Sequence, residues 1–382
     1  MKQSKKTQPK SLLRVAQTAA ACAALALLAA CGGGGSSSSS TSSSTPPGGV
    51  SLLVVSFGDS LSDVGTYSPV ILPSFGGGKF TTNPGQIWVQ DIANYYGGTV
   101  TPAYLGGFGQ PLTASTGLGY GQGGARVNQT PGIGTPQATA MPISWQVQQY
   151  LSAHGSFNSN QLVVIEGGPN DVLLAAAAIA ANPTNPTVIA QQEANVVNAA
   201  VALAGIVGQI IQNGATKVVL ANLPDIGKTP QGISSSDGGA LLTSLSAGFN
   251  TALSTALTAG GLANSSSLIQ LNTFQFIDSA VANYASNGFS VSNTGTACNL
   301  QAMVTNATAY AEQNPSVLSP GETAAEFGTA FGQSLFCSPQ TLTVAGADQT
   351  YMFADTIHPT THLHALFAQA VEQTLAAKGI GH

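Results

Sequence analysis

The chain has 382 residues, 43% of them hydrophobic and only 7% charged. An average soluble domain carries roughly 25% charged residues, so Gly, Ala, Ser, Thr, Asn and Gln must supply this surface, a composition that suits export better than the cytosol. Five of the ten basic residues (Lys2, Lys5, Lys6, Lys10 and Arg14) lie near the start, which leaves five bases against fifteen acids and a formal charge of −10 beyond it. Five scattered bases make no phosphate-tracking patch, so nucleic acid is not an expected partner.

The first element is an address. Residues 18–30 form a short apolar core between a basic start and small residues. As a helix these residues span about 20 Å, too little for a hydrocarbon layer of roughly 30 Å. Residues 1–30 therefore read as a secretory signal peptide. Its end, Leu28-Ala29-Ala30-Cys31, resembles a bacterial lipobox, in which Cys31 is lipidated and becomes the mature N-terminus. The alternative is ordinary cleavage after an Ala-x-Ala site, with Cys31 incidental. Gly32 in place of Asp resembles lipoproteins sent on to the outer membrane. The rest of 31–49 is Gly, Ser, Thr and Pro only; it buries no apolar surface and reads as a flexible tether. The expected location is the outer membrane or cell surface through a lipid anchor, otherwise secreted or periplasmic.

Beyond residue 50 strands and helices alternate. Ser51–Phe57, Gln161–Glu166, Lys217–Asn222 and the weaker Leu268–Leu271 are short apolar runs of strand length. Helical stretches lie at Gln86–Tyr96, at Val188–Asn213 (stopping at Gly214), at Gly239–Ala259 and at Thr361–Lys378, with Gly379 as a C-cap. Continuously apolar strands separated by helices predict an α/β fold with a parallel sheet covered on both faces. In such sheets the chemistry sits just beyond the strands' C-terminal ends. The Gly- and Pro-rich stretches 66–85 and 97–122 read as long loops. Residues 290–349 show little periodicity and read as an inserted cap or lid. That stretch holds Cys298 and Cys337, the only cysteines of the mature body. An oxidising compartment favours a disulfide between them; two separate buried thiols are the alternative. Neither has metal-ligand spacing with a histidine.

Polar residues flank three of the predicted elements. Phe57-Gly58-Asp59-Ser60 puts a serine on a tight turn after the first strand. Gly167-Gly168-Pro169-Asn170-Asp171 follows the second, where an Asn amide can donate into a cleft or merely cap a helix. Asp355-Thr356-Ile357-His358-Pro359 precedes the last helix. A serine needs a base to lose its proton, and that base needs an acceptor on its far nitrogen. Among five histidines only His358 has a carboxylate three residues upstream; His362 and His364 fall on the helix that follows and read as structural or solvent-facing.

Together these segments resemble the SGNH, or GDSL, esterases and lipases. Gly58-Asp59-Ser60-Leu61 matches the first block of that family, Tyr120-Gly121-Gln122-Gly123-Gly124-Ala125 its second, Gly168-Pro169-Asn170-Asp171 its third and Asp355-Thr356-Ile357-His358 its last. Gly119 stands where the family often has Asn. Gly78-Lys79-Phe80, Asn222-Leu223-Pro224 and Phe249-Asn250 resemble the plant and bacterial autotransporter branch. The resemblance implies a three-layer α/β/α, flavodoxin-like domain over residues 50–382, with 290–349 a possible lid. It implies Ser60 as nucleophile, His358 as base, Asp355 as its partner, and an oxyanion hole from the Ser60 and Gly124 N–H groups and the Asn170 amide. It implies a lipid or other acyl ester as substrate and no metal or organic cofactor. A carbohydrate O-acetylesterase, an acyltransferase and a non-catalytic surface-binding lipoprotein remain alternatives on the same site.

Overall fold

The computed structural model describes residues 49–107, 110–134, 140–332 and 334–381. The signal peptide, Cys31 and all but the end of the tether lie outside the described residues.

In chain order the strands are β1 (Leu53–Phe57), β2 (Tyr104–Gly107), β3 (Gln110–Ala114), β4 (Gln161–Ile165), β5 (Val218–Ala221), β6 (Leu268–Leu271), β7 (Val291–Thr296) and β8 (Tyr351–Phe353). Four of them form the parallel central sheet, in the order β1-β4-β5-β6. Val55 lies opposite Val163, Val163 opposite Val218, and Val218 opposite Leu268. The outer edge of β1 is closed by the segment around Gly119: Ser56 N–H donates to the Leu118 carbonyl at 3.0 Å and Tyr120 N–H to the Ser56 carbonyl at 2.8 Å. This single-residue bridge occupies the place of the extra edge strand in a flavodoxin-like order.

Successive strand residues face opposite sides, so one sheet builds two cores. Val55, Phe57, Val163, Ile165 and Val218 pack with Val147, Leu203 and Phe249. These last three lie on the helices Ile143–His154, Pro186–Gln212 and Ala240–Ala259. Val54, Leu162, Val164 and Val219 pack instead with Trp88, Ile92, Val371 and Leu375, from the helices Trp88–Tyr95 and Thr361–Ala377. Each such buried side chain contributes about 1.5–3 kcal/mol. The result is the three-layer α/β/α architecture. The helix Pro186–Gln212 is long and apolar enough to cross a membrane, but its buried stripe belongs to the first core.

Two expectations are corrected. The stretches read as loops contain the helix Ser68–Phe75 and the antiparallel hairpin β2–β3. Ile71 and Phe75, one helical turn apart, are both buried. Phe75 meets Tyr310 and Phe336 with ring centroids 6.0 and 5.7 Å apart. Those partners are distant in sequence, so no local period announced the helix. Residues 290–349 are also more regular than their sequence suggests. They hold β7, which pairs with β8, and the helices Leu300–Gln313 and Ala324–Phe331. Met303, Tyr310, Phe327 and Phe336 share a separate core with Tyr67 and Ile71. Cys298 and Cys337 are joined by a disulfide, Cα–Cα 5.5 Å, in the wall of that core.

Candidate active site

The C-terminal end of β1 runs into a turn held from three sides. Gln146 grips Gly58 twice: it accepts from the Gly58 N–H at 3.0 Å and donates to the Gly58 carbonyl at 2.8 Å. Asp59 Oδ1 accepts from the Leu61 N–H at 3.1 Å and so caps the short 3-10 turn Ser60–Ser62. A Cβ at Gly58 would collide with the Glu166 carboxyl, so glycine is required by close approach. Ser60, 8% exposed, is left facing a cavity.

His358 comes from the far end of the chain. The loop after β8 turns back on itself, with the Ala354 N–H donating to the His358 carbonyl at 2.8 Å. Thr360 then caps the last helix and donates its hydroxyl to the Tyr351 carbonyl at 2.8 Å. Within the loop Asp355 Oδ1 accepts from the N–H groups of Ile357 and His358 at 2.9 and 2.8 Å. That local turn also brings Asp355 Oδ2 to 2.9 Å from His358 Nδ1. A proton on Nδ1 satisfies the carboxylate and leaves Nε2 bare. Nε2 stands 3.0 Å from Ser60 Oγ, placed to accept the serine proton.

The other predicted residues line the same cavity. Asn170 is the second residue of the helix Pro169–Ala181, whose cap Gly168 has φ 113°. The left-handed backbone there favours glycine, and Phe249 and Leu223 leave no room for a Cβ. Asn170 Nδ2 donates one proton to the Ala125 carbonyl at 2.7 Å. Gly124, φ 86°, sits on the neighbouring Gly-rich loop, which two carboxylates hold. Asp63 accepts from Gly123 N–H at 2.9 Å. Asp171 accepts from Val127 N–H at 3.0 Å and pairs with Arg126 at 2.9 Å. Burial pushes Asp63 up to about 6 despite its three backbone donors.

The cavity holds about 500 Å³. Ser60, Gly124, Asn170 and His358 line its polar part, and Leu173, Ile357, Phe276, Phe367 and Leu363 supply apolar walls. Ala330 and Leu335 border it from the disulfide-bonded segment. Sequence reasoning missed three groups here. Gln146 has no motif around it, and only the fold brings it to Gly58. Glu166 follows β4 directly, and a polar residue where a buried strand ends is the one signal in the sequence that marks it. His364, read as structural or solvent-facing, is buried on the last helix and also lines the cavity wall. Burial, with His358 nearby, brings it down to about 3 and keeps the ring neutral.

A parallel sheet whose strand ends gather a serine, an amide and a histidine–carboxylate pair on an apolar cavity has the build of a hydrolase. The family model of the GDSL-like Lipase/Acylhydrolases matches residues 54–371, and the chain belongs to this family. A phosphatidylcholine-sterol acyltransferase of Aeromonas hydrophila is 29% identical over 184 residues, 46% of this chain and 46% of that protein. The chain thus spans about half the length of the relative that it matches.

Proposed function

We propose that the protein is a serine esterase or lipase that cleaves lipid or other acyl esters through an acyl-enzyme. The observation that carries the reading is the continuous contact from Asp355 through His358 to Ser60, at 2.9 and 3.0 Å. His358 Nε2 takes the Ser60 proton as Oγ attacks the ester carbonyl. Asp355 holds and balances the imidazolium. The oxyanion is met by the N–H of Ser60, the N–H of Gly124 and the second amide proton of Asn170. A donor of this kind contributes about 3–4 kcal/mol to the transition state. His358 then protonates the leaving alcohol, and water repeats the cycle on the acyl-enzyme.

The apolar cavity walls favour a lipidic acyl chain over an acetyl group on a sugar. Acyl transfer to a second alcohol is the alternative that the Aeromonas relative's name supports. The test is hydrolysis of p-nitrophenyl esters from acetyl to decanoyl, with and without an alcohol acceptor. Wild type should prefer chains longer than acetyl. Ser60→Ala should lose at least about three orders of magnitude in kcat. Undiminished turnover in that variant would reject Ser60 as nucleophile, and product passing mainly to the acceptor would assign transfer.

Residues 50–382 act as one catalytic domain in this reading, with 290–349 a cap on one cavity wall. Residues 1–30 are its export signal and 31–49 a tether from a lipidated Cys31 to the membrane. Cys31→Ser should then move the protein from the membrane fraction to the soluble one; unchanged partitioning would end the anchor proposal.

A further inference from the structure

Beneath the turn that carries Ser60 lie two carboxyl groups that the ester mechanism does not use. Asp59 is fully buried and Glu166 is 5% exposed. One oxygen of each is accounted for. Asp59 Oδ1 accepts from Leu61 N–H at 3.1 Å, and Glu166 Oε1 accepts from Asp59 N–H at 2.8 Å. The remaining oxygens, Asp59 Oδ2 and Glu166 Oε2, are both buried with no hydrogen-bond partner when the two groups are read as carboxylates. The two side chains are nevertheless within hydrogen-bonding reach of one another.

Two desolvated carboxylates in contact cannot both ionise at neutral pH without a large cost. One proton between them supplies the donor that both orphan oxygens lack. The neighbours relieve this only in part. Gln146 spends its amide protons on the Gly58 and Met141 carbonyls, and Ser62 can give Glu166 a single hydroxyl proton, which lowers it without cancelling the effect of burial. Asp171, from the helix after β4, adds negative charge and is already paired with Arg126. The Leu61 N–H, then His358 across the cavity and the Glu166 side chain draw Asp59 toward its charged form, but burial outweighs them. Burial and the Asp59 charge drive Glu166 well above the usual carboxylate range.

We propose that Asp59 and Glu166 share one proton at neutral pH, carried by Glu166, and that this neutral acid is a positioning residue for the Ser60 turn. The role of Glu166 rests on the esterase reading; the protonation state does not. Through the Asp59 N–H the Glu166 carboxyl fixes the backbone one residue before the nucleophile. Loss of the shared proton sets two negative groups against each other there and displaces the Ser60 N–H and Oγ together. The consequence is an alkaline limit on kcat that has nothing to do with His358.

The experiment pairs infrared spectroscopy with a pH-stat assay on tributyrin. Wild type should keep a carboxylic-acid C=O band at pH 8 that disappears in Glu166→Gln and in Asp59→Asn. Its kcat should fall at least tenfold between pH 8 and 10.5 as the band is lost. Glu166→Gln donates an amide proton to Asp59 and has nothing to titrate; its kcat should stay within threefold of wild type at pH 8 and remain level to pH 10.5. Glu166→Leu, without the acceptor for Asp59 N–H, should lose tenfold or more in kcat at every pH. Absence of the band in wild type at pH 8 overturns the shared proton, and that reading needs no variant to fold. A wild-type kcat that stays level while the band vanishes, or an alkaline fall that survives in Glu166→Gln, overturns the positioning role. Failure of wild type to hydrolyse any ester overturns the esterase reading and the role together, while the band still decides the proton.

Discussion

Asp63 makes three hydrogen bonds to backbone N–H groups and still has its carboxyl raised to about 6, because burial outweighs the donors. Asp59 is raised to about 6 by burial as well, Asp91 to about 6, and Glu166 further. In each case the folded protein binds protons that the unfolded chain has released. The stability these groups contribute is therefore present below the ordinary carboxylate range and lost as pH rises through about 6 and beyond. His364 acts in the opposite sense. Lowered to about 3, it refuses a proton that the unfolded chain takes up below about 6.5. Four carboxyls outweigh one imidazole, so the melting temperature should rise as pH is lowered from 8 to 5.5. Scanning calorimetry across that window tests the balance, and a melting temperature that falls on acidification contradicts it.

At the scale of elements the central strands were legible and the elements of residues 290–349 were not. β4 is buried at all five positions, and an unbroken apolar run of strand length says so without help. The helix Ala240–Ala259 likewise ends where Gly260 stands. The helices Leu300–Gln313 and Ala324–Phe331 bury their faces on each other and on Ser68–Phe75, which is apolar but only eight residues long and interrupted by Pro69 and Pro73. A bond between Cys298 and Cys337 encloses this unit with a separation of 39 residues. Loop closure of that length stabilises by about 4 kcal/mol at most. Cys298→Ser with Cys337→Ser should lower the melting temperature by several degrees. The same change should raise KM for decanoyl esters more than for acetyl esters, because Leu335 borders the cavity. Equal KM changes for both esters would separate the disulfide-bonded segment from the acyl site.

Across the whole molecule the site is an encounter of distant segments. Ser60 and His358 lie 298 positions apart and meet at 3.0 Å, because β1 delivers Ser60 at its C-terminal end and the last helix, which follows His358, packs across the second face of the same sheet. Residue types at four motifs, and their order along the chain, already determined the family, the parallel sheet and the identity of Ser60, Asn170, Asp355 and His358 as candidates. These are local properties: an apolar run, a glycine where the chain must turn sharply, an aspartate three residues before a histidine. Only the tertiary structure decided that Gln146 clamps Gly58, that Glu166 touches Asp59, that His364 lines the cavity and that a Pro- and Gly-rich stretch forms a helix. Each of these depends on a partner many residues away, and the cost of burying a polar group or the gain from packing a ring exists only once that partner is in place.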